Sequence, residues 1–172
     1  IDFGTNAGTD CSTPGYGGLG NTKAARTQYW NLTNMKIKAS KYYPEILNFN
    51  LIIYTNHHQE CNAYAAKDYL KFCMSVNNLC GNLSEFPGIG FHEFGHFIDR
   101  KVGDFTIPSE ATADIFSFLE TRNSCFVNGY FSKNCGGYGD ACLFCNGWRD
   151  VDYQKHSSNQ PWNIINYENV WQ

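Results

Sequence analysis

Apolar positions recur at helical spacing in three stretches of the chain. Over residues 23–43, Ala25, Tyr29, Leu32 and Met35 fall on one side of a helix, and Pro44 ends it because the residue before a proline is pushed out of the helical region. Residues 86–101 give the clearest helix, with Pro87 suited to a first turn, Arg100 and Lys101 to the negative C-terminal end, and Gly103 to its closure. A third helix is expected over 108–119, opened by Pro108, with Glu110 near its positive end. Between the first two the pattern changes. Residues 49–55 are rich in β-branched and aromatic side chains and read as a buried strand; 68–76 alternate more raggedly and read as a second. Residues 1–22 hold six glycines without periodicity and read as an extended arm. From Asn123 onward cysteines, glycines, asparagines and aromatics crowd together without a period, so an irregular lobe is expected. The pattern describes one α+β domain over 1–172, with an upper sublobe (1–103) and a lower one (104–172).

Composition narrows this picture. Apolar residues make up 42% of the 172, enough to bury a core and to exclude disorder as the main state. A net charge of −3 offers nothing for counterion-driven binding, so a nucleic-acid partner is not expected. No apolar run approaches a membrane span, and a soluble, monomeric protein is expected. The chain starts at Ile1 without a charged, apolar leader, so removal of a signal peptide is expected. Eight cysteines are an even number in a loop-rich chain, and they imply four disulfides and a secreted protein. Their grouping, Cys61/Cys73/Cys80 and Cys125/Cys135/Cys142/Cys145, predicts local staples, with Cys11 pinning the N-terminal arm. The rival, a zinc ribbon built on Cys142-x-x-Cys145, lacks the second close pair it needs. Gly15-Tyr-Gly17-Gly-Leu-Gly20 fits a dinucleotide-binding spacing, but no strand precedes it, so it reads as coincidence. Asn31-Leu-Thr33 and Asn82-Leu-Ser84 are glycosylation sequons of small weight.

One motif carries chemistry. In His92-Glu93-Phe94-Gly95-His96 the two histidines are one turn apart, so both imidazoles leave the same helix face and can bind one zinc ion. Glu93 stands beside them, placed to take a proton from water activated by that ion. A catalytic site of this type needs a third protein ligand and one open position. Glu110-Ala-Thr-Ala-Asp114 supplies two carboxylates on one face of the third helix. Glu110 is the expected ligand, with Asp99 and Asp104 as weaker rivals. Asp114 is the expected acceptor for the free ring N–H of a ligand histidine. Ile115, Phe116 and Leu119 flank the acids and are expected to pack this helix down.

The combination of His92-Glu93-x-x-His96 with Ser109-Glu110-Ala-Thr-Ala-Asp114-Ile115-Phe116 resembles the gluzincin metallopeptidases, most closely the thermolysin-like group. Asn62-Ala63-Tyr64-Ala65 is similar to the stretch with which that family grips the substrate backbone, which implies that Asn62 and Ala63 bind substrate. The strand at 68–76 would then take the place of the family's active-site edge strand, which binds an extended peptide through main-chain hydrogen bonds. The resemblance implies a zincin-like fold: a small twisted sheet with an antiparallel edge strand packed on the active-site helix, plus a small disulfide-rich C-terminal lobe. It also implies that a late histidine, His156, held by Asp152 or Asp150, donates to the developing oxyanion, with Tyr153 or Tyr138 as substitutes, and that Arg149 binds a substrate carbonyl. The likeness covers residues 50–120 best. The link from His96 to Glu110 is shorter than in the family and has no tyrosine. The family's Gly-Asp calcium signature is replaced by Ser75-Val-Asn-Asn78 and Cys80, so disulfides are expected to stand in for calcium, whose presence is left open.

The expected function is therefore that of a secreted zinc endopeptidase acting on peptide or protein substrates, with Glu93 as general base. No acidic anchor for a free α-amino group is apparent, which favours endopeptidase over aminopeptidase. Two other classes compete: a catalytically silent zincin-fold binding protein, disfavoured by an intact Glu93, and a disulfide-stapled recognition module. His57 and His58 read as loop residues after a strand.

Overall fold

A computed structural model of the chain describes residues 22–77, 79–102, 109–131, 133–134 and 142–155. Its architecture is α+β. The principal elements are α1 (Lys23–Ala39), β1 (Ile52–Tyr54), β2 (Ala63–Ala65), β3 (Tyr69–Phe72), α2 (Pro87–Val102), α3 (Ser109–Thr121), β4 (Cys125–Phe126) and β5 (Arg149–Asp150). The glycine-rich arm, Gly103, Asp104, Pro108 and the proposed arm anchor Cys11 lie outside the described residues.

Thr22 opens α1, its hydroxyl accepting from the Ala25 amide at 3.0 Å, and Lys36 and Lys38 complement the negative end. The helix ends at Ala39 rather than Tyr43. Tyr42 and Tyr43 already turn back to the Ala39 carbonyl, and Tyr43, held before Pro44, adopts φ −138°, far from helical. Leu32 and Met35 point into the core, while Trp30 faces solvent.

The strands are shorter than expected. In the three-stranded sheet, β3 is central, parallel to β1 and antiparallel to β2. The strand anticipated at the edge is thus the middle one, and β2, which carries Ala63-Tyr64-Ala65, is the antiparallel edge. Nor is β1 buried: Ile52 and Tyr54 are exposed, and Leu70 and Phe72 of β3 supply the buried face. The Cys61–Cys80 disulfide ties the start of β2 to the chain beyond β3.

The middle of the molecule is α2. Ten successive residues, Gly88 through Phe97, are buried, so this helix is enclosed on all sides instead of showing one apolar stripe. Ile89, Phe94 and Phe97 join Leu70, Phe72, Leu83, Phe126 and Tyr130 in one core. Glycines cost a helix interior roughly 1 kcal/mol each relative to alanine, and α2 keeps them where neighbours come closest. A Cβ at Gly95 would lie 2.6 Å from Ala113 Cα, backbone against backbone. A Cβ at Gly90 would lie 2.2 Å from Oε1 of the buried Gln28, whose amide donates to the Ser84 carbonyl at 3.0 Å and so ties α1 to the approach to α2.

Against α2 lies α3, with Ala113 and Ser117 on its buried side. The expectation that Ile115 and Leu119 pack down is not met: both are largely exposed, and among the three flanking residues only Phe116 reaches the core, its ring 6.3 Å from Phe94. The helix turns its small residues inward because α2 comes too close for large ones.

In the C-terminal lobe, β4 and β5 pair antiparallel beside a Cys125–Cys145 disulfide. Cys142 is disulfide-bonded as well, which removes the thiolates a zinc ribbon would need. Four disulfides do not form, however: Cys73 is a free, fully buried thiol. The closed disulfides belong in an oxidising environment. Asn82 of the second sequon is buried, its amide donating to Asn56. Among the described residues no helix is long and apolar enough to cross a membrane.

Gly95→Ala is expected to destabilise the protein by about 1–3 kcal/mol through overpacking. Gly88→Ala should cost less, since its Cβ would meet a Ser117 hydroxyl at 3.2 Å that can turn aside. Urea denaturation of the two variants checks the order; equal midpoints would contradict it.

Candidate metal centre

Burial brings the motif histidines together. His92 and His96 sit on one face of α2, and their Nε2 atoms are 3.1 Å apart. From α3, the Glu110 carboxylate approaches with Oε2 3.2 Å from His92 Nε2 and Oε1 3.2 Å from His96 Nε2. Two imidazole nitrogens and the two oxygens of one carboxylate thus converge. A tetrahedral ion with ligands at about 2.0–2.1 Å holds its donors about 3.3–3.4 Å apart, and the nitrogen–nitrogen spacing and each nitrogen's spacing to its nearer oxygen lie within a few tenths of an ångström of that. This buried His92–His96–Glu110 group can hold a metal ion. Both histidine side chains are at least nine-tenths buried, whereas Glu110 is about one-third exposed, so the point opens to solvent past Glu110.

The surroundings are rich in negative charge. Asp114, one turn beyond Glu110, places Oδ1 2.9 Å from His92 Nδ1, so Nδ1–H donates to it and Nε2, facing Glu110, is the nitrogen that would bind a metal on losing its own proton. Burial alone would lower the His92 pKa, but hydrogen bonds to Asp114 and Glu110 and the charge of Glu93 push it up to about 9. Burial would likewise raise Asp114, yet hydrogen bonds from His92 and Arg149 hold it below the ordinary carboxylate range. Glu110 is also held low against burial, through its contacts with His92 and His96. Three carboxylates around two imidazoles form a cluster short of positive charge, which a bound cation would supply. His96 Nδ1 is buried and finds no acceptor among the described residues, so packing orients that ring. Its edge meets the face of His92, with the centroids 4.7 Å apart.

Glu93 is 4% exposed on α2, and burial raises its pKa. A carboxyl shifted upward in this way is better matched to taking a proton near neutral pH than an exposed one.

Arg149 reaches across from β5. Its Nε donates to Asp114 Oδ2 at 2.7 Å and a terminal nitrogen donates to Oδ1 at 2.5 Å, a two-pronged clasp of the carboxylate that holds His92. The same terminal nitrogen is 3.8 Å from Glu110 Oε2. The guanidinium also lies over the Phe126 ring at 4.6 Å, and Phe126 packs on His92 at 4.9 Å. Arg149, expected at a substrate carbonyl, is engaged with Asp114 in this structure.

Asn62 precedes β2, and its Oδ1 accepts from the Ala63 amide at 2.9 Å. The Ala65 carbonyl accepts from Arg100 of α2, so part of the outward main chain of β2 is already engaged. Asp152 accepts from the Gln154 amide at 3.2 Å and pairs with Lys155 at 3.4 Å, organising the turn at Tyr153–Lys155. Asp150 is buried, and its Oδ1 accepts from the Asp152 amide at 3.0 Å. Asp99 belongs to α2 but not to the metal-binding group. His156 and Tyr138 lie outside the described residues. Sequence reasoning overlooked Phe126, for which no local signal exists, and Gly95 with Ala113, whose small size between the polar positions of each motif was a usable sign.

Asp114→Ala should weaken metal binding about 10–100-fold, as removal of a ligand's hydrogen-bond partner does. Arg149→Lys should fall short of wild type because a single ammonium cannot reproduce the fork. Competition against a chromogenic chelator measures both; wild-type affinity in Asp114→Ala would contradict the assignment.

No protein-family model, curated protein or solved structure matches the chain, so the reading of this site rests on its own residues and their geometry.

Proposed function

We propose that the chain is a secreted zinc-dependent endopeptidase of the gluzincin type with a zincin-like fold. The observation that carries the reading is the meeting of His92 Nε2, His96 Nε2 and the Glu110 carboxylate at 3.1–3.2 Å, with buried Glu93 on the same helix as both histidines. These three residues would hold the zinc. Bound there, the ion would polarise the scissile carbonyl and acidify water.

The remaining work belongs to the chain. Glu93, raised in pKa by burial, accepts the proton of the attacking water on a carboxylate oxygen and then delivers it to the departing amine. Asp114 accepts the hydrogen bond from His92 Nδ1–H, which leaves Nε2 as the nitrogen a metal would bind, and Arg149 prevents that carboxylate from turning away. The antiparallel edge strand β2 would pair with an extended peptide through the outward groups that Arg100 and Asn62 do not already hold, and main-chain pairing need not specify the peptide's side chains. Disulfides in place of a larger supporting lobe suit a protein working outside the cell.

Degradation of casein tests the proposal. Wild-type protein should cleave it, a chelator should stop cleavage and added zinc should restore it. Glu93→Gln should retain its metal and its melting temperature while losing about 10²–10⁴-fold in rate. Undiminished cleavage by Glu93→Gln, or cleavage indifferent to chelation, would refute the reading.

A further inference from the structure

We propose that His58, Glu60 and Cys73 form a second metal site, distinct from the first and suited to a borderline-soft divalent cation such as zinc. Their ligand atoms all lie within 4.8 Å of one another. Glu60 Oε2 is 2.7 Å from His58 Nε2 and 3.9 Å from Cys73 Sγ. A tetrahedral ion with sulfur at about 2.3 Å and oxygen at about 2.0–2.1 Å separates the two by about 3.6 Å, so the Cys73–Glu60 spacing is nearly right. His58 and Glu60 must open by roughly 0.6 Å to reach tetrahedral spacing, and both side chains are exposed enough to do so.

The backbone builds this cluster deliberately. Beyond β1 the chain passes through Asn56 at φ 51° and then runs beside the continuation of β3. His57 donates to the Phe72 carbonyl at 3.0 Å, Gln59 bridges to Met74 in parallel, and the His58 carbonyl accepts from Met74 at 2.9 Å. These contacts hold His58 and Glu60 alongside Cys73. The Tyr64 hydroxyl donates to Glu60 Oε1 at 2.6 Å, which leaves Oε2 for His58 and Cys73. Metal-binding carboxylates are commonly oriented by such an outer hydrogen bond. The His57 ring packs on that of His58 at 4.2 Å and limits its swing.

The thiol is the second line of argument. Among the described residues Cys61, Cys80, Cys125, Cys142 and Cys145 are disulfide-bonded, and Cys73 is free. A thiol standing beside a carboxylate and an imidazole, where every other described cysteine is disulfide-bonded, has a use as a metal ligand and is shielded from oxidation when bound. The Cys/His/carboxylate set selects zinc-like ions over magnesium or calcium. It shares no residue with the His92–His96–Glu110 group, so the inference stands whether or not the chain is a protease.

Cobalt is the probe, because only this second site contains sulfur. The full-length protein titrated with Co²⁺ should take up two equivalents and develop a near-ultraviolet thiolate-to-metal band. Cys73→Ser should bind one equivalent without that band, whereas His92→Ala should bind one and keep it. Tyr64→Phe should weaken the sulfur-containing site about 10–100-fold. If Cys73→Ser does not fold, His58→Ala serves in its place, with loss or weakening of the band expected. One equivalent and no band in the wild type, a band that survives Cys73→Ser, or a disulfide at Cys73 in peptide maps of the unreduced protein would each overturn the proposal.

Discussion

The close crossing of α2 and α3 at Gly95 and Ala113 sets the distance on which the metal centre depends. A helix pair separated by larger side chains stands 8–10 Å apart at the axes, and Glu110 would then be drawn away from the two imidazoles. Here a Cβ on residue 95 would already lie 2.6 Å from the Ala113 backbone. Gly95 stands between the two histidines and Ala113 between Glu110 and Asp114, so small residues within the two motifs let the ligands come together. The same closeness puts Ala113 and Ser117 at the contact, with Phe116 and Phe118 packed on the core beside it and Ile115 and Leu119 left outside.

Around this crossing the electrostatics form a chain of dependence. His92 presents one nitrogen to the metal point because Asp114 holds the other, and Asp114 is held by Arg149 from a different lobe. Lobe position therefore matters to the chemistry. The short pairing of β4 and β5 is too small to be stable alone, and the Cys125–Cys145 bond beside it secures the segment that carries Phe126 and Arg149. The disulfide supports the metal point at one remove, through an arginine and a carboxylate.

The Cys61–Cys80 bond plays a comparable part on the other side of α2. It fixes the chain entering β2 against the segment after β3, and Glu60, Tyr64 and Cys73 are gathered beside it. Two clusters of ligand-type residues thus lie in one small molecule, each next to a disulfide. In both, a side chain that touches no metal-facing atom orients one that does: Asp114 for His92, Tyr64 for Glu60.

Local chemistry made much of this protein legible from the chain alone. One-turn spacing dictated that His92 and His96 share a face, as do Glu110 and Asp114, and proline, capping residues and periodicity located all three helices to within a few residues. These features depend on neighbours in sequence, where helix geometry is the only map required. The sheet order, the exposure of β1 and the freedom of Cys73 were not legible, because strand pairing and disulfide choice join residues whose sequence separation carries no signal. Arg149 shows the limit most clearly. Its charge and late position suited several partners, and only the pairing of β5 with β4, which meets α3, decided that a carboxylate 35 residues away would take it. The sequence by itself determined which groups carry the chemistry; tertiary structure decided which of them meet, since meeting is a matter of burial and helix crossing rather than of spacing.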